Sequence, residues 1–516
     1  KIDVLTHWRQ GFEGRGVERY ASGELYVGDI KHGDRDDDKG LNVAEFFMFS
    51  LATAQQQYGD ATLEALLAVD TARNRRAVER FKRDAMRPPR RVFAISDVHA
   101  DVPENARAVR AYVDKTLLSR RRDGAERDET CRALVVAGDV GEKLDDVERC
   151  LRLCTKKFDT VFYSFGNHEL WCTNERDERC SYEKIKSVFE VCEKCGVKTN
   201  PSEEIPVENQ GENARQAVFI APVHSWYEQE FDTEDDVEAP DDVTIPKVEK
   251  VMTDYRLCKW PSLEEWKKEM TMEKISSNSS SARNTTAKTY SNDYYISRKI
   301  DALNDEDGKF ERFLENVKRA KMEGKDVTVI TFSHFLPRIE LIPEKRFLLY
   351  PKLTQAVGSH ILNERVERVT RLLHLGESGK DKHTHAFGHT HFGWNLVLEN
   401  NVRYVQAALA TPKEWVRRPR SLVVGDFFSN APGNAPLLLY DVATNAFSGS
   451  STNEEYNPGL WAKYYEENAR DPSNKTLAPW VLEYVSRIWG SRELKKSMMM
   501  SSNAEASPLP GKSGEG

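Results

Sequence analysis

Five short stretches set acidic, amide and imidazole side chains close together: Asp97-Val-His99, Gly138-Asp139, Gly166-Asn167-His168-Glu169, Ser333-His334 and Gly388-His389-Thr-His391. Any one of them is weak, because an isolated Asp-x-His is most often a solvated loop. In series they point to one chemistry. A buried pair of divalent ions needs several oxygen and nitrogen donors converging from different loops, and carboxylate, amide and imidazole groups are the donors such ions take. The glycines beside Asp139, Asn167 and His389 permit the tight turns and close backbone approach that convergence requires.

Each stretch follows a segment that reads as a strand. Arg91-Val-Phe-Ala-Ile95 leads into Asp97 and His99; a strand alternates its faces, so these two residues point the same way where the strand becomes a loop. Ala133–Ala137 ends in Gly138-Asp139, Thr160–Ser164 opens onto Gly166, Val327–Phe332 stops at Ser333, and Thr384–Phe387 runs into Gly388. Further strands are expected at Ala217–Ala221, Trp394–Leu398, Val402–Gln406 and Leu437–Tyr440, with helices over Pro103–Leu118, Lys143–Lys156 and Ile300–Met322. Polar residues at the C-terminal ends of strands occupy the place where open α/β sheets bind ligands.

The bulk numbers narrow the class. The chain has 516 residues, 39% of them hydrophobic, and a net charge of -8. That length allows a large α/β domain with accessory segments, and the acidic balance argues against a protein whose main task is gripping nucleic-acid phosphates. No apolar run approaches the roughly 18 residues of a spanning helix. Eight cysteines, including Cys192-x-x-Cys195 and the Cys150/Cys154 pair, form no convincing zinc or disulfide framework, so reduced thiols and a cytoplasmic setting are expected. A first residue that is lysine suggests a fragment or a processed form.

Around this core, residues 1–40 contain two short strand patterns broken at Ser22-Gly23, and residues 41–90 read as a helical region that becomes a basic linker at Pro88-Pro89. The basic run reads as a solvated helix face. The core domain is expected over 91–445, with a polar, partly disordered insertion at about 228–299, where Glu228–Asp242 is acidic and Ser276–Thr286 is rich in Ser, Asn and Thr. Inside it, Asp254-Tyr-Arg-Leu-Cys-Lys-Trp-Pro261 is denser and could fold back as a lid. A C-terminal extension at 446–495 and a disordered tail at 496–516 complete the chain.

The five motifs and their order resemble the calcineurin-like metallophosphoesterases over roughly Arg91 to Tyr440. The resemblance implies an α/β fold, a two-layered β-sandwich flanked by helices, with a dinuclear metal site at the strand ends. It assigns Asp97, His99, Asp139 and His391 to one ion and Asp139, Asn167, His334 and His389 to the other, so that Asp139 bridges. It implies two divalent or transition ions (Mn, Fe or Zn) and hydrolysis of phosphate mono- or diesters by a hydroxide between them, since metal binding lowers the pKa of water. His168 would protonate the leaving oxygen or steady the phosphoryl group, with Glu169 orienting its imidazole.

The arginines that Ser/Thr protein phosphatases carry in the corresponding motifs are absent from Gly138-Asp-Val-Gly-Glu142 and Ser164-Phe-Gly-Asn-His-Glu169. Leu257-Cys-Lys-Trp-Pro261, Ser333-His-Phe-Leu-Pro-Arg338, Pro343-Glu-Lys-Arg346 and Leu477-Ala-Pro-Trp480 are similar to a plant and algal-type branch of the family. Arg338 could reach a substrate phosphate or serve a structural ion pair. His224, His360, His374, His383 and His385 read as surface or satisfied core residues. Gly14–Gly33 resembles one repeat of the membrane occupation and recognition nexus (MORN) type, or is an ordinary glycine-rich hairpin; as a repeat it would offer a protein or membrane-surface contact. The competing function is a protein-interaction scaffold on the same fold with little catalysis. A nuclease is disfavoured by the acidic balance.

Overall fold

The computed structural model describes residues 91–110, 132–173, 180–202, 205–207, 216–277, 290–374, 382–417, 437–441, 446–447 and 460–495, together with three strands between 14 and 35. The chain divides into two units, Lys1–Pro88 and Pro89–Gly516. In the first, β1 (Gly14–Arg19) pairs antiparallel with β2 (Leu25–Lys31), and β2 with β3 (Asp34–Arg35). This is the hairpin expected from the break at Ser22-Gly23. The basic linker, the Ser/Asn/Thr run at 278–289 and the tail from 496 lie outside the described residues.

The second unit is a mixed α/β fold with two sheets flanked by helices. In one sheet β4 (Arg91–Ile95), β5 (Arg132–Ala137) and β6 (Thr160–Ser164) run parallel, while β13 (Leu437–Asp441) joins β4 antiparallel and carries β14 (Ala446–Phe447) at the edge. In the other, β8 (Gln216–Pro222), β9 (Asp326–Phe332), β10 (Lys382–Phe387) and β12 (Val402–Gln406) are parallel, with β7 (Ile205–Val207) and β11 (Trp394–Val397) antiparallel at the edges. Central strands such as Ala133–Ala137 are buried along their length because both faces are covered, which is why they read as continuous apolar runs. Val135, Phe162, Phe219 and Val329 from the two sheets belong to one apolar core.

The helices present apolar stripes to this core. In Leu144–Lys157 the buried positions Val147, Cys150, Leu151 and Cys154 recur at helical spacing, while Asp145 and Asp146 open the helix and Lys156 and Lys157 close it, in keeping with its dipole. Leu362, Val366, Val369 and Leu373 do the same in His360–His374. The seven described cysteines are buried and free.

Two expectations need correction. The single helix expected over Ile300–Met322 is two, Asn292–Asp301 and Lys309–Met322, separated by a 3-10 stretch in which Asp307 and Gly308 take left-handed φ of 53° and 66°. Nor is the acidic stretch Glu228–Asp242 a loose excursion. Phe231 is buried, Asp232 pairs with Lys345 at 2.7 Å, and Glu234 pairs with Arg470 at 2.6 Å. Val243 packs with Leu477, Val481 and Val485, so the helix Pro479–Trp489 of the C-terminal extension anchors this segment.

Candidate metal centre

The loops that follow β4, β5, β9 and β10 meet at one end of the two sheets, held by main-chain hydrogen bonds that continue beyond the strands. The amides of Asp97 and His99 donate to the carbonyls of Gly138 (3.0 Å) and Asp139 (2.9 Å), and that of Gly388 donates to His334 (2.8 Å). Asp97, His99, Asp139, His389 and His391 all adopt left-handed φ, between 45° and 57°. Such a conformation costs a non-glycine residue roughly 1–2 kcal/mol. Two glycines make the approach feasible: Gly138 has φ +80° and a Cβ there would lie 2.5 Å from His334 Nδ1, while a Cβ on Gly166 would run into Asp139 Oδ1.

Two groups of donor atoms result, Asp97, His99, Asp139 and His391 in one and Asp139, His334 and His389 in the other, each group within 4.8 Å. Asp139 is common to both. Outer partners fix the tautomers: His334 Nδ1 lies 3.0 Å from the Ala137 carbonyl, His389 Nε2 3.1 Å from the Ala356 carbonyl, and His391 Nδ1 2.8 Å from the Glu414 carboxylate. Acceptors at those positions require N–H there, so in the neutral rings the inner nitrogens are bare. Those bare nitrogens face other lone pairs. His391 Nε2 is 3.1 Å from His99 Nε2 and 3.3 Å from Asp97 Oδ1, and His334 Nε2 is 3.1 Å from both Asn167 Oδ1 and His389 Nδ1.

Converging lone pairs repel one another unless positive charge lies between them, and Asp97 Oδ1, buried, has no hydrogen-bond partner. The cluster's demand for positive charge is also visible in its titration. Against burial, which lowers it, Asp97 and Glu414 raise His391 to about 10, and Asp139 raises His334 to about 9. Burial raises the Asp139 carboxyl, yet His334 and His168 bring it well below the usual range. The all-N/O donor set suits Mn, Fe or Zn. The residues present therefore fit metal ions, and the Asp/His cluster is able to hold them.

His168 stands beside these groups, its side chain 23% exposed and its Nε2 3.8 Å from Asp139 Oδ2. Its ring stacks on Trp171 at 3.7 Å between centroids. Glu169 does not reach that ring, contrary to expectation. Its two oxygens accept from the amides of Asp139 (3.1 Å), Val140 (2.5 Å), Gly141 (3.4 Å) and Gly166 (2.8 Å), fastening the loop after β5 to the loop after β6. Arg338 is committed to Glu340 at 2.7 Å and Glu399 at 2.5 Å, which is the structural ion pair and not a phosphate contact. His224, His383 and His385 are buried and hydrogen-bonded.

Two carboxylates of the site were not singled out by type and spacing. Glu414, the partner of His391, also accepts from the Thr411 amide and hydroxyl, and Thr411-Pro-Lys-Glu414 is a capping box that the sequence displays. Asp254 accepts from the Asn167 amide at 2.9 Å, from a segment 87 residues away. The lid-like stretch from Asp254 thus folds back onto the site.

Residues 90–297 match the family model of the calcineurin-like phosphoesterases. Over that stretch the chain is similar to the calcineurin-like phosphoesterases. An acyl-carrier-protein phosphodiesterase, PptH, of Mycobacterium tuberculosis is 33% identical over 139 residues, which are 26% of this chain and 41% of the relative. The match thus spans less than half of that relative's length. The crystal structure of a phosphopantetheinyl hydrolase from M. tuberculosis aligns over 64% of this chain and 93% of its own, with 20% identity and a TM-score of 0.37. A dimetal phosphatase from Danio rerio aligns over 62% and 87%, with 13% identity and a TM-score of 0.29.

Proposed function

We propose that the protein is a dinuclear metal-dependent phosphoesterase in which Asp97, His99, Asp139 and His391 hold one ion and Asp139, Asn167, His334 and His389 the other. The observation that carries this reading is the pair of donor groups sharing Asp139, with bare imidazole nitrogens turned inward. Bound there, the ions supply Lewis acidity toward the phosphoryl oxygens and a water acidified to near neutral pH. Asp139, with two oxygens, serves both sides. His168, at the edge of the cluster and partly exposed, is placed to give a proton to the departing ester oxygen. Glu169 keeps the Asp139 and Gly166 loops in register and does not touch the reacting atoms.

The mycobacterial relative is named for a phosphodiester reaction. That supports phosphodiesters as the first substrate class to try, with monoesters second. We keep the plant and algal-type branch as the chain's place within the family, and the N-terminal hairpin as a MORN-type contact surface. The test is a panel of aryl and alkyl phosphate mono- and diesters with purified protein and added Mn²⁺. Hydrolysis that chelation abolishes and Mn²⁺ restores is expected. A folded protein that binds neither ion and turns over nothing on the panel refutes the reading.

A further inference from the structure

Asp254 is 1% exposed and lies far in sequence from every metal-binding motif. Its Oδ1 accepts two hydrogen bonds, from Asn167 Nδ2 at 2.9 Å and from Trp171 Nε1 at 2.6 Å. The first fixes an ambiguity that every asparagine ligand carries. An amide flipped by half a turn would aim its NH₂ at His334 Nε2 and at any cation beside it; a carboxylate, which only accepts, draws the NH₂ to itself and leaves Oδ1 facing inward, 3.1 Å from His334 Nε2.

The second bond reaches His168. That imidazole has no carboxylate on its Nδ1, which is buried without a partner. The ring lies between the edge-on ring of His99, 4.7 Å away between centroids, and the Trp171 face, 3.7 Å away at an interplanar angle of 31°. The indole is pinned in turn by its N–H to Asp254. Main-chain bonds stitch the two segments together: Cys172 donates to the Leu257 carbonyl and Ser181 to that of Lys259, each at 2.9 Å.

We propose that Asp254 is the positioning residue for one side of the centre, setting the Asn167 amide directly and the His168 ring through Trp171. This rests on the phosphoesterase reading, and it assigns to the inserted segment a role in assembling the site. The test uses the full chain as wild type, D254A, D254N and W171F. Mn²⁺ binding is followed by calorimetry and bound-ion analysis, unfolding temperature is recorded without metal, and turnover is compared for an aryl and an alkyl ester.

Wild type is expected to take up two ions. D254A should keep one and bind the other about 10- to 100-fold more weakly. D254N, which retains an acceptor oxygen, should recover most of that affinity. W171F fills the same space without the N–H; it should keep both ions and lose about tenfold more rate on the alkyl than on the aryl ester. A D254A protein that binds both ions with wild-type affinity, whatever its unfolding temperature, overturns the Asn167 assignment, and an unchanged alkyl-to-aryl ratio in W171F overturns the His168 assignment. A wild type that fails to bind two ions sinks the phosphoesterase reading itself, a result distinct from either.

Discussion

Glu414 Oε2 lies 2.8 Å from His391 Nδ1, while the opposite ring nitrogen, Nε2, lies 3.3 Å from Asp97 Oδ1. The imidazole is thereby held between an outer carboxylate that fixes its tautomer and an inner one that shares its proposed ion. Glu414→Gln should weaken binding at that ion about 10- to 100-fold. Calorimetric titration of the metal-free variant checks this, and unaltered affinity would show that the outer contact is incidental.

Asp139 belongs to both donor groups and Asp97 to one. Asp139→Asn should therefore deplete both ions and Asp97→Asn chiefly one. Elemental analysis after gel filtration distinguishes the two patterns; equal retention in the two variants would contradict the shared role of Asp139.

His168 should behave as a proton donor and not as a ligand. His168→Ala is expected to keep both ions and to lose roughly 10² to 10⁴ in rate, most with an alkyl leaving group and least with nitrophenolate. A loss of metal, or the same deficit for both leaving groups, would withdraw the acid role.

Glu169→Gln should act on stability. Each carboxylate oxygen serves two amides, and an NH₂ in place of one oxygen would confront two donors. A loss of about 2 kcal/mol or more is expected, since a buried unpaired group costs roughly 1–3 kcal/mol. Urea unfolding measures it. The ratio of alkyl to aryl turnover should stay at the wild-type value, unlike that of His168→Ala.

Acid should weaken the fold through histidines remote from the centre. Burial lowers His224 to about 4 and His383 to about 3, whereas an unfolded histidine titrates near 6.5. Between those values the unfolded chain binds protons that the folded chain refuses, so stability is full above about pH 6.5 and falls as pH drops toward 4. The slope is up to about 1.4 kcal/mol per pH unit for each residue. His224→Gln should flatten the measured dependence of unfolding free energy on pH over that range; an unchanged slope would show that the residue does not contribute.

The strands were legible because runs such as Ala133–Ala137 and Val327–Phe332 are buried and are built from apolar residues with no more than threonine between them. The residues that converge were legible because each sits just past such a run. What sequence did not display are partnerships made across long loops or with main chain. The stretch from Asp254 stood out as able to fold back, but nothing in it named Asn167 as the partner of Asp254, and the partners of Glu169 are amides that every residue possesses. The acidic stretch at 228–242 looked loose because its counter-charges, Lys345 and Arg470, lie more than a hundred residues downstream. Glu414 was within reach, since its capping box could be read from Thr411 and Pro412.

The left-handed backbone at Asp97, His99, Asp139, His389 and His391 carries a consequence for anyone wishing to borrow this scaffold. Glycine adopts that conformation without steric penalty, so these are positions where erasing the chemistry also relieves the chain. Replacing them would remove the metal-binding donors and the local strain together, so an inert version of the fold lies only a few substitutions away. Selection for thermal robustness alone would drift toward that version, and only continued demand for the proposed catalysis would hold the chain where it is.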